Sequence, residues 1–213
     1  MVKLGVIAGS GFENLELTNV PVIKRHGDNH QIAPKRIDHQ KNIQKLLNEG
    51  CTHVLIVCSA GILGDNYLIG DIIAVKDFID ITPQQSFFDR TPFDVSKHHV
   101  GFGQPLDPEL TLGIIQEMPE LKTDGIIYHW QGNRFQTPSE VTMISQFANL
   151  VNMTAAKEIQ MAHEAGLKVA CVAIGTDYAD NPTMQDISKV MDKVRPKIVK
   201  IINVADEIVK NIV

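Results

Sequence analysis

Three cysteines, Cys51, Cys58 and Cys171, are all that the 213 residues contain, and no two of them form a C-x-x-C pair. An odd, scattered set argues against a disulfide framework and against a zinc knuckle, and it is the usage expected of a reduced, cytoplasmic chain. Cys51 and Cys171 adjoin apolar runs and read as small buried hydrophobes. No apolar run approaches the ~20 residues of a membrane span. The chain moves from Met1 straight into alternating apolar residues up to Ala8, without the basic and apolar regions of a secretory signal. Runs of Lys/Arg and basic-aromatic interleaving are missing too, and the net charge is −5, so no nucleic-acid partner is expected. Nor is there an internal repeat, a low-complexity tract or a dividing linker, which leaves residues 1–213 to form a single domain.

What is present has the periodicity of an α/β fold. Lys3-Ala8, His53-Cys58, Asp71-Val75, Gly125-Trp130 and Lys168-Ile174 are short β-branched runs, several of them apolar on both faces. Strands of that kind need cover on two sides, so a mixed central sheet flanked by helices is predicted. Helices are predicted over Arg36-Asn48, Pro108-Glu117, Pro138-Leu150, Ala155-Ala165 and Met184-Ile212. In the first, Ile37, Ile43, Leu46 and Leu47 form an apolar stripe that Gly50 terminates.

Several motifs carry chemistry. Gly9-Ser10-Gly11 follows the first strand, and a serine flanked by residues without Cβ atoms lets backbone N–H groups close on an anion. A tight strand-to-loop turn is the plainer alternative. A dinucleotide site would want a glycine where Asn14 stands. Arg25-His26-Gly27 with His30 offers a guanidinium suited to phosphate and two imidazoles. The His26/His30 spacing would also suit two metal ligands on a helix, but no third ligand is apparent and no metal is expected. Cys58-Ser59-Ala60-Gly61 and Ala173-Ile174-Gly175-Thr176-Asp177 close two strands, and in open α/β sheets ligands bind beyond such ends. The plainer reading of Asp177 is a helix N-cap. Phe135 offers a stacking face, Met153 an adaptable apolar contact, and Thr154 a hydroxyl at a helix start.

Taken in order, Gly9-Ser10-Gly11, Lys24-Arg25-His26-Gly27-x-x-His30, Asn42, Gly50-Cys51-Thr52-His53-Val54, Gly70-Asp71-Ile72, Gly132-x-Arg134-Phe135, Asn152-Met153-Thr154, Glu164-Ala165-Gly166 and Thr176-Asp177-Tyr178 form a specific set. Over roughly residues 3 to 180 the chain resembles the trimeric purine nucleoside phosphorylases, and within them the 5′-methylthioadenosine phosphorylases. The resemblance implies a nucleoside phosphorylase-like fold and phosphorolysis of a purine nucleoside to free base and ribose 1-phosphate or its 5-methylthio analogue. It requires no cofactor, inorganic phosphate being the co-substrate. Ser10, Arg25, His26 and Thr154 correspond to phosphate ligands, and Cys58 stands where a threonine usually contacts the phosphate. Ser59, Ala60, Gly61 and Thr176 would line the nucleoside, with Met153 under the ribose and Phe135 against the purine. Asp177 would hold or protonate N7, its carboxyl favouring a 6-aminopurine. His99 matches a histidine lent to a neighbour's 5′ pocket, which implies a homotrimer, possibly assembled further into a hexamer.

The chain also departs from that family. Between Thr18 and Ile23 it lacks a segment the family uses for two strands and a T-x-x-G-x-P-S turn. Gln131-Gly132-Asn133-Arg134-Phe135-Gln136 replaces Glu-Gly-Pro-Arg-Phe-Ser, and Ala156-Lys157-Glu158 replaces Val-Pro-Glu. Ala179 replaces a second aspartate near the base, and the tail that covers the alkylthio pocket is missing. These departures leave two alternatives open: a phosphorylase of 6-oxopurine nucleosides or methylthioinosine, and a catalytically weakened nucleoside-binding homologue.

Overall fold

The structure, a computed structural model, describes residues 2–212 apart from 14, 16, 18, 19, 93, 95, 97, 98 and 183, and of 184–186 only the backbone. Strand β1 (Leu4–Ala8) lies between β2 (Val22–Lys24) and β3 (His53–Ile62), parallel to both. Along its whole length β3 pairs in parallel with β7 (Lys168–Tyr178). From β7 the pairing continues antiparallel to β4 (Ile72–Ile79), then in parallel to β5 (Lys122–His129) and to β6 (Leu150–Asn152). The short β6 returns antiparallel to the tip of β3. Five strands therefore close on themselves, with β1 and β2 as an open flank. The sheet is mixed, as the sequence predicts, and on its open flank β2 pairs directly with β1.

Alternation along the strands divides the core between two faces. Leu4, Val6 and Ala8 of β1 pack with Leu110 and Ile114 of α2 (Pro108–Glu117) and with Val194, Ile198, Ile201 and Ile202 of a long C-terminal helix. Ile7 of β1 and Val54, Ile56 and Cys58 of β3 face the other way. They meet Ile43 and Leu46 of α1 (His39–Asn48) and Ala155, Ile159 and Ala162 of α4 (Ala155–Glu164). Helix α3 (Pro138–Ile144) caps the ring beside β6, and α5 is Met184–Asn211.

Four readings of the sequence are corrected. The helix predicted to run to Leu150 stops at Ile144, and Leu150 begins β6. The Asn149 side chain fixes that switch, accepting from Ile126 N–H at 2.7 Å and donating to the Asp124 carbonyl at 2.9 Å. Helix α1 starts at His39, not Arg36, because Asp38 accepts from Lys41 N–H and caps it there; residues Pro34–Arg36 form a short 3-10 turn. The stretches 58–61 and 173–177 are strand residues of β3 and β7 and not closing turns, which removes the helix-cap reading of Asp177. Finally, β2 and β6, of three residues each, carry too little periodicity to be read.

Candidate active site

Parallel pairing brings the carboxyl ends of β1 and β2 beside the middle of β3. Ala8 is in register with both Lys24 and Val57, so Gly9-Ser10, Arg25 and Cys58 emerge side by side. Arg25 N–H donates to the Ala8 carbonyl and Gly9 N–H to the Val57 carbonyl, both at 3.0 Å. The Arg25 guanidinium lies under this turn. A Cβ on Gly9 would stand 2.4 Å from Arg25 Nη1 and 2.9 Å from the Val57 carbonyl, so a glycine is needed for the approach.

Arg25 is buried with Glu158, from the first turn of α4. Nε donates to Oε1 at 2.6 Å and Nη2 donates to Oε2. Burial works against both charges, yet each outweighs it for the other: the Arg25 pKa is raised and that of Glu158 lowered. The sequence flagged Glu158 only as the retained acid of an altered motif, and its pairing 133 residues back was not legible. His39 Nδ1 lies 3.6 Å from Glu158 Oε1, beyond hydrogen-bond length.

Helix α4 is tied to the same row by Asn152. Its Nδ2 donates to the Ser59 carbonyl at 2.7 Å, and its Oδ1 accepts from Thr154 N–H at 2.8 Å and Ala155 N–H at 2.6 Å. Thr154 is thereby buried at the helix start, one turn before Glu158, with Met153 half-buried beside it. Further along, Asp177 of β7 is in register with Gly61 of β3. Thr176 Oγ1 donates to Asp177 Oδ1 at 2.7 Å, and among the described residues no hydrogen bond engages Oδ2. Burial pushes the Asp177 carboxyl up, and the Thr176 hydroxyl only partly opposes it.

Ser10, Arg25, His26, Cys58, Ser59, Ala60, Gly61, Thr154, Thr176 and Asp177 thus lie just beyond β1 and β2, in the second half of the paired strands β3 and β7, and at the start of α4. Phe135, 39 % exposed, and His99 sit on exposed loops instead. Near Phe135, Arg134 grips Glu140 with two 2.8 Å bonds and lies 5.1 Å over the Trp130 ring. Among the described residues no group of His, Cys, Asp and Glu could hold a metal ion, and no helix is long and apolar enough to cross a membrane.

A second buried ionic set lies behind α4 and was not foreseen. Lys157 Nζ stands 2.8 Å from Asp80 Oδ2 and donates to the Pro83 carbonyl at 3.1 Å, while Thr82 bonds Asp80 Oδ1 through N–H and hydroxyl. Gln160 and Glu164, on the same face of α4, hold the Gln85 carbonyl and Phe87 N–H, so the 80–87 loop is laid along the helix. His129, at the end of β5, is buried and among the described residues has no hydrogen-bond partner at Nδ1. Burial, helped by the charges of Lys157 and His39 against that of Asp80, lowers its pKa to about 4. The unfolded chain takes up this proton near 6.5 and the folded chain only near 4, so acid favours unfolding. The stability His129 confers is complete above pH 6.5 and drains as pH falls to about 4, a loss of roughly 3 kcal/mol. Urea unfolding between pH 7 and 4 measures it, and His129→Gln is expected to flatten that slope; an unchanged slope would show that His129 contributes nothing to it.

With this geometry in place the chain can be set beside known proteins. It belongs to the phosphorylase superfamily, whose sequence pattern matches residues 6–210. Within it, similar proteins include S-methyl-5′-thioadenosine phosphorylases. That of Danio rerio is 30% identical over 212 residues, covering 83% of this chain and 76% of its own length. That of Pyrococcus horikoshii is 29% identical over 235 residues, covering 95% and 91%. In fold, the chain superposes on methylthioadenosine phosphorylase from Schistosoma mansoni in complex with tubercidin with a TM-score of 0.89, at 23% identity and over 99% and 92% of the two chains. The expectation of a nucleoside phosphorylase-like fold is met.

Proposed function

We propose that this protein cleaves the N-glycosidic bond of 5′-methylthioadenosine or a related purine nucleoside with inorganic phosphate as nucleophile, acting through residues 1–213 as one domain. The observation that carries the reading is the row formed by Ser10, Arg25 and Thr154, with the raised carboxyl of Asp177 on β7, in register with Gly61 of β3, in a phosphorylase-superfamily chain. The reaction needs an aligned anion, room for an oxocarbenium-like sugar and a proton for the departing base. Ser10, Arg25, His26 and Thr154 supply the first, with Cys58 beside them. Met153 and the Ser59-Ala60-Gly61 backbone border the sugar, Phe135 the purine, and Asp177 Oδ2 delivers the proton to N7. No cofactor enters this scheme.

A homotrimer, possibly doubled to a hexamer, is the assembly in which His99 would complete a neighbour's 5′ pocket. Exposed Met143 and Phe147 supply apolar surface for contact between copies. The buried, unpaired cysteines support a cytoplasmic location. Adenine release from methylthioadenosine tests the reaction. It is expected to proceed with phosphate and to stop without it; no release in either condition would leave a nucleoside-binding protein, and release without phosphate a hydrolase.

A further inference from the structure

Within the phosphate reading given above, on which this inference rests, His26 occupies a position whose proton is fixed by the backbone. Its Nδ1 lies 2.8 Å from the Ile32 carbonyl. A carbonyl oxygen can only accept, so Nδ1 must carry hydrogen, and a neutral imidazole then has only a lone pair at Nε2. Among the described residues no hydrogen bond engages Nε2. The ring cannot turn over freely to change this, since it is buried and stacked on His30 at 4.4 Å with 17° between the planes. His30 is itself fixed, its Nδ1 2.6 Å from Glu13 Oε1.

The neutral form is the one the surroundings favour. Burial lowers the His26 pKa, and the charges of Arg25 and His30 lower it further against the Ile32 carbonyl and Glu158. The charged groups around the ring are therefore Arg25 at the end of β2, Glu158 from α4, His30 on its own turn and Glu13 behind His30. Arg25 is already paired with Glu158, so the fixed charges beside the ring cancel.

We propose that His26 is a specificity-determining residue that selects tetrahedral oxyanions still carrying a proton. Its Nε2 accepts the hydroxyl of monohydrogen phosphate. That orients the anion with its protonated oxygen toward His26 and its three unprotonated oxygens toward Ser10, Arg25, Thr154 and the sugar. Monohydrogen arsenate has the same proton and meets the same condition. Sulfate has none near neutral pH, so its oxygen would face a lone pair where phosphate makes a hydrogen bond.

The test is calorimetric titration of the intact protein with inorganic phosphate, arsenate and sulfate at about pH 7.5, where the imidazole is neutral. Phosphate and arsenate are expected to bind alike, and sulfate roughly tenfold or more weakly, the usual effect of losing one charge-assisted bond. His26→Gln, which can offer an amide N–H at that position, is expected to bring sulfate to within a few-fold of phosphate. Should that variant not fold, the sulfate-to-phosphate ratio of the parent protein decides alone. Sulfate binding as tightly as phosphate to the parent protein, or the same discrimination in a folded His26→Gln variant, would overturn the role of His26 while leaving the phosphate site standing. Binding of none of the three anions would overturn the phosphate site and this inference together.

Discussion

Exchanging Glu158 for alanine is expected to destabilise the protein by about 3–5 kcal/mol and to raise the KM for phosphate far more than that for the nucleoside. The stability loss follows from burial. The Arg25 and Glu158 side chains are 1% and 0% exposed, so removing the carboxylate strands a guanidinium charge that water cannot reach. The functional loss follows from geometry. Glu158 holds Nε and Nη2, which fixes Nη1 beneath the Gly9-Ser10 turn, where it also donates to the Val57 carbonyl at 3.4 Å. Urea unfolding and initial rates against each substrate measure the two effects. The double variant Arg25→Met/Glu158→Leu separates them, because an apolar pair of similar volume is expected to restore stability while phosphate-dependent turnover stays lost. A Glu158→Ala protein as stable as the parent, with its phosphate KM intact, would show that the pair neither supports the fold nor positions the cation.

Exchanging Asp177 for asparagine is expected to lower kcat for adenine release by about 10²–10⁴-fold, the usual range for a lost general acid. The substitution keeps shape and keeps an oxygen for the Thr176 hydroxyl, so folding and the KM for phosphate should change little. What it removes is a transferable proton. Because burial raises the Asp177 pKa from its ordinary value, the proton is held to higher pH than on a solvated aspartate and is lost as pH rises through the raised pKa. The parent kcat should therefore fall on the alkaline side of that pKa, and the Asp177→Asn profile should lack that limb. Turnover by the asparagine variant at the parent rate would remove Asp177 from the chemistry.

Both experiments concern residues with different histories. Asp177 was readable in advance because it ends an apolar strand within a recognisable Thr176-Asp177-Tyr178 run, although its alternative reading as a helix cap fell only when β7 proved to run to Tyr178. Arg25 was readable as a phosphate-seeking cation, but its burial against Glu158 was not. Lys157 and Asp80 form a buried pair because α4 is covered on nearly every side, which periodicity does not show. His129 gave no sign of its neutral, unpartnered state.

By itself the sequence determined the strand-turn Gly9-Ser10-Gly11, the helices that begin at proline or end at glycine, the two-faced apolar strands, and the order of motifs that places the chain among the phosphorylases. Those are local properties: periodicity, capping and turn chemistry act between neighbours in the chain. Only the tertiary structure decided that β6 closes the ring, that Asn152 ties α4 to β3, that Arg25 finds Glu158 and that the Ile32 carbonyl sets the proton of His26. The physical reason is that strand register and burial select partners across chain separations where propensity has no reach, and burial then fixes which charges and protons those partners keep.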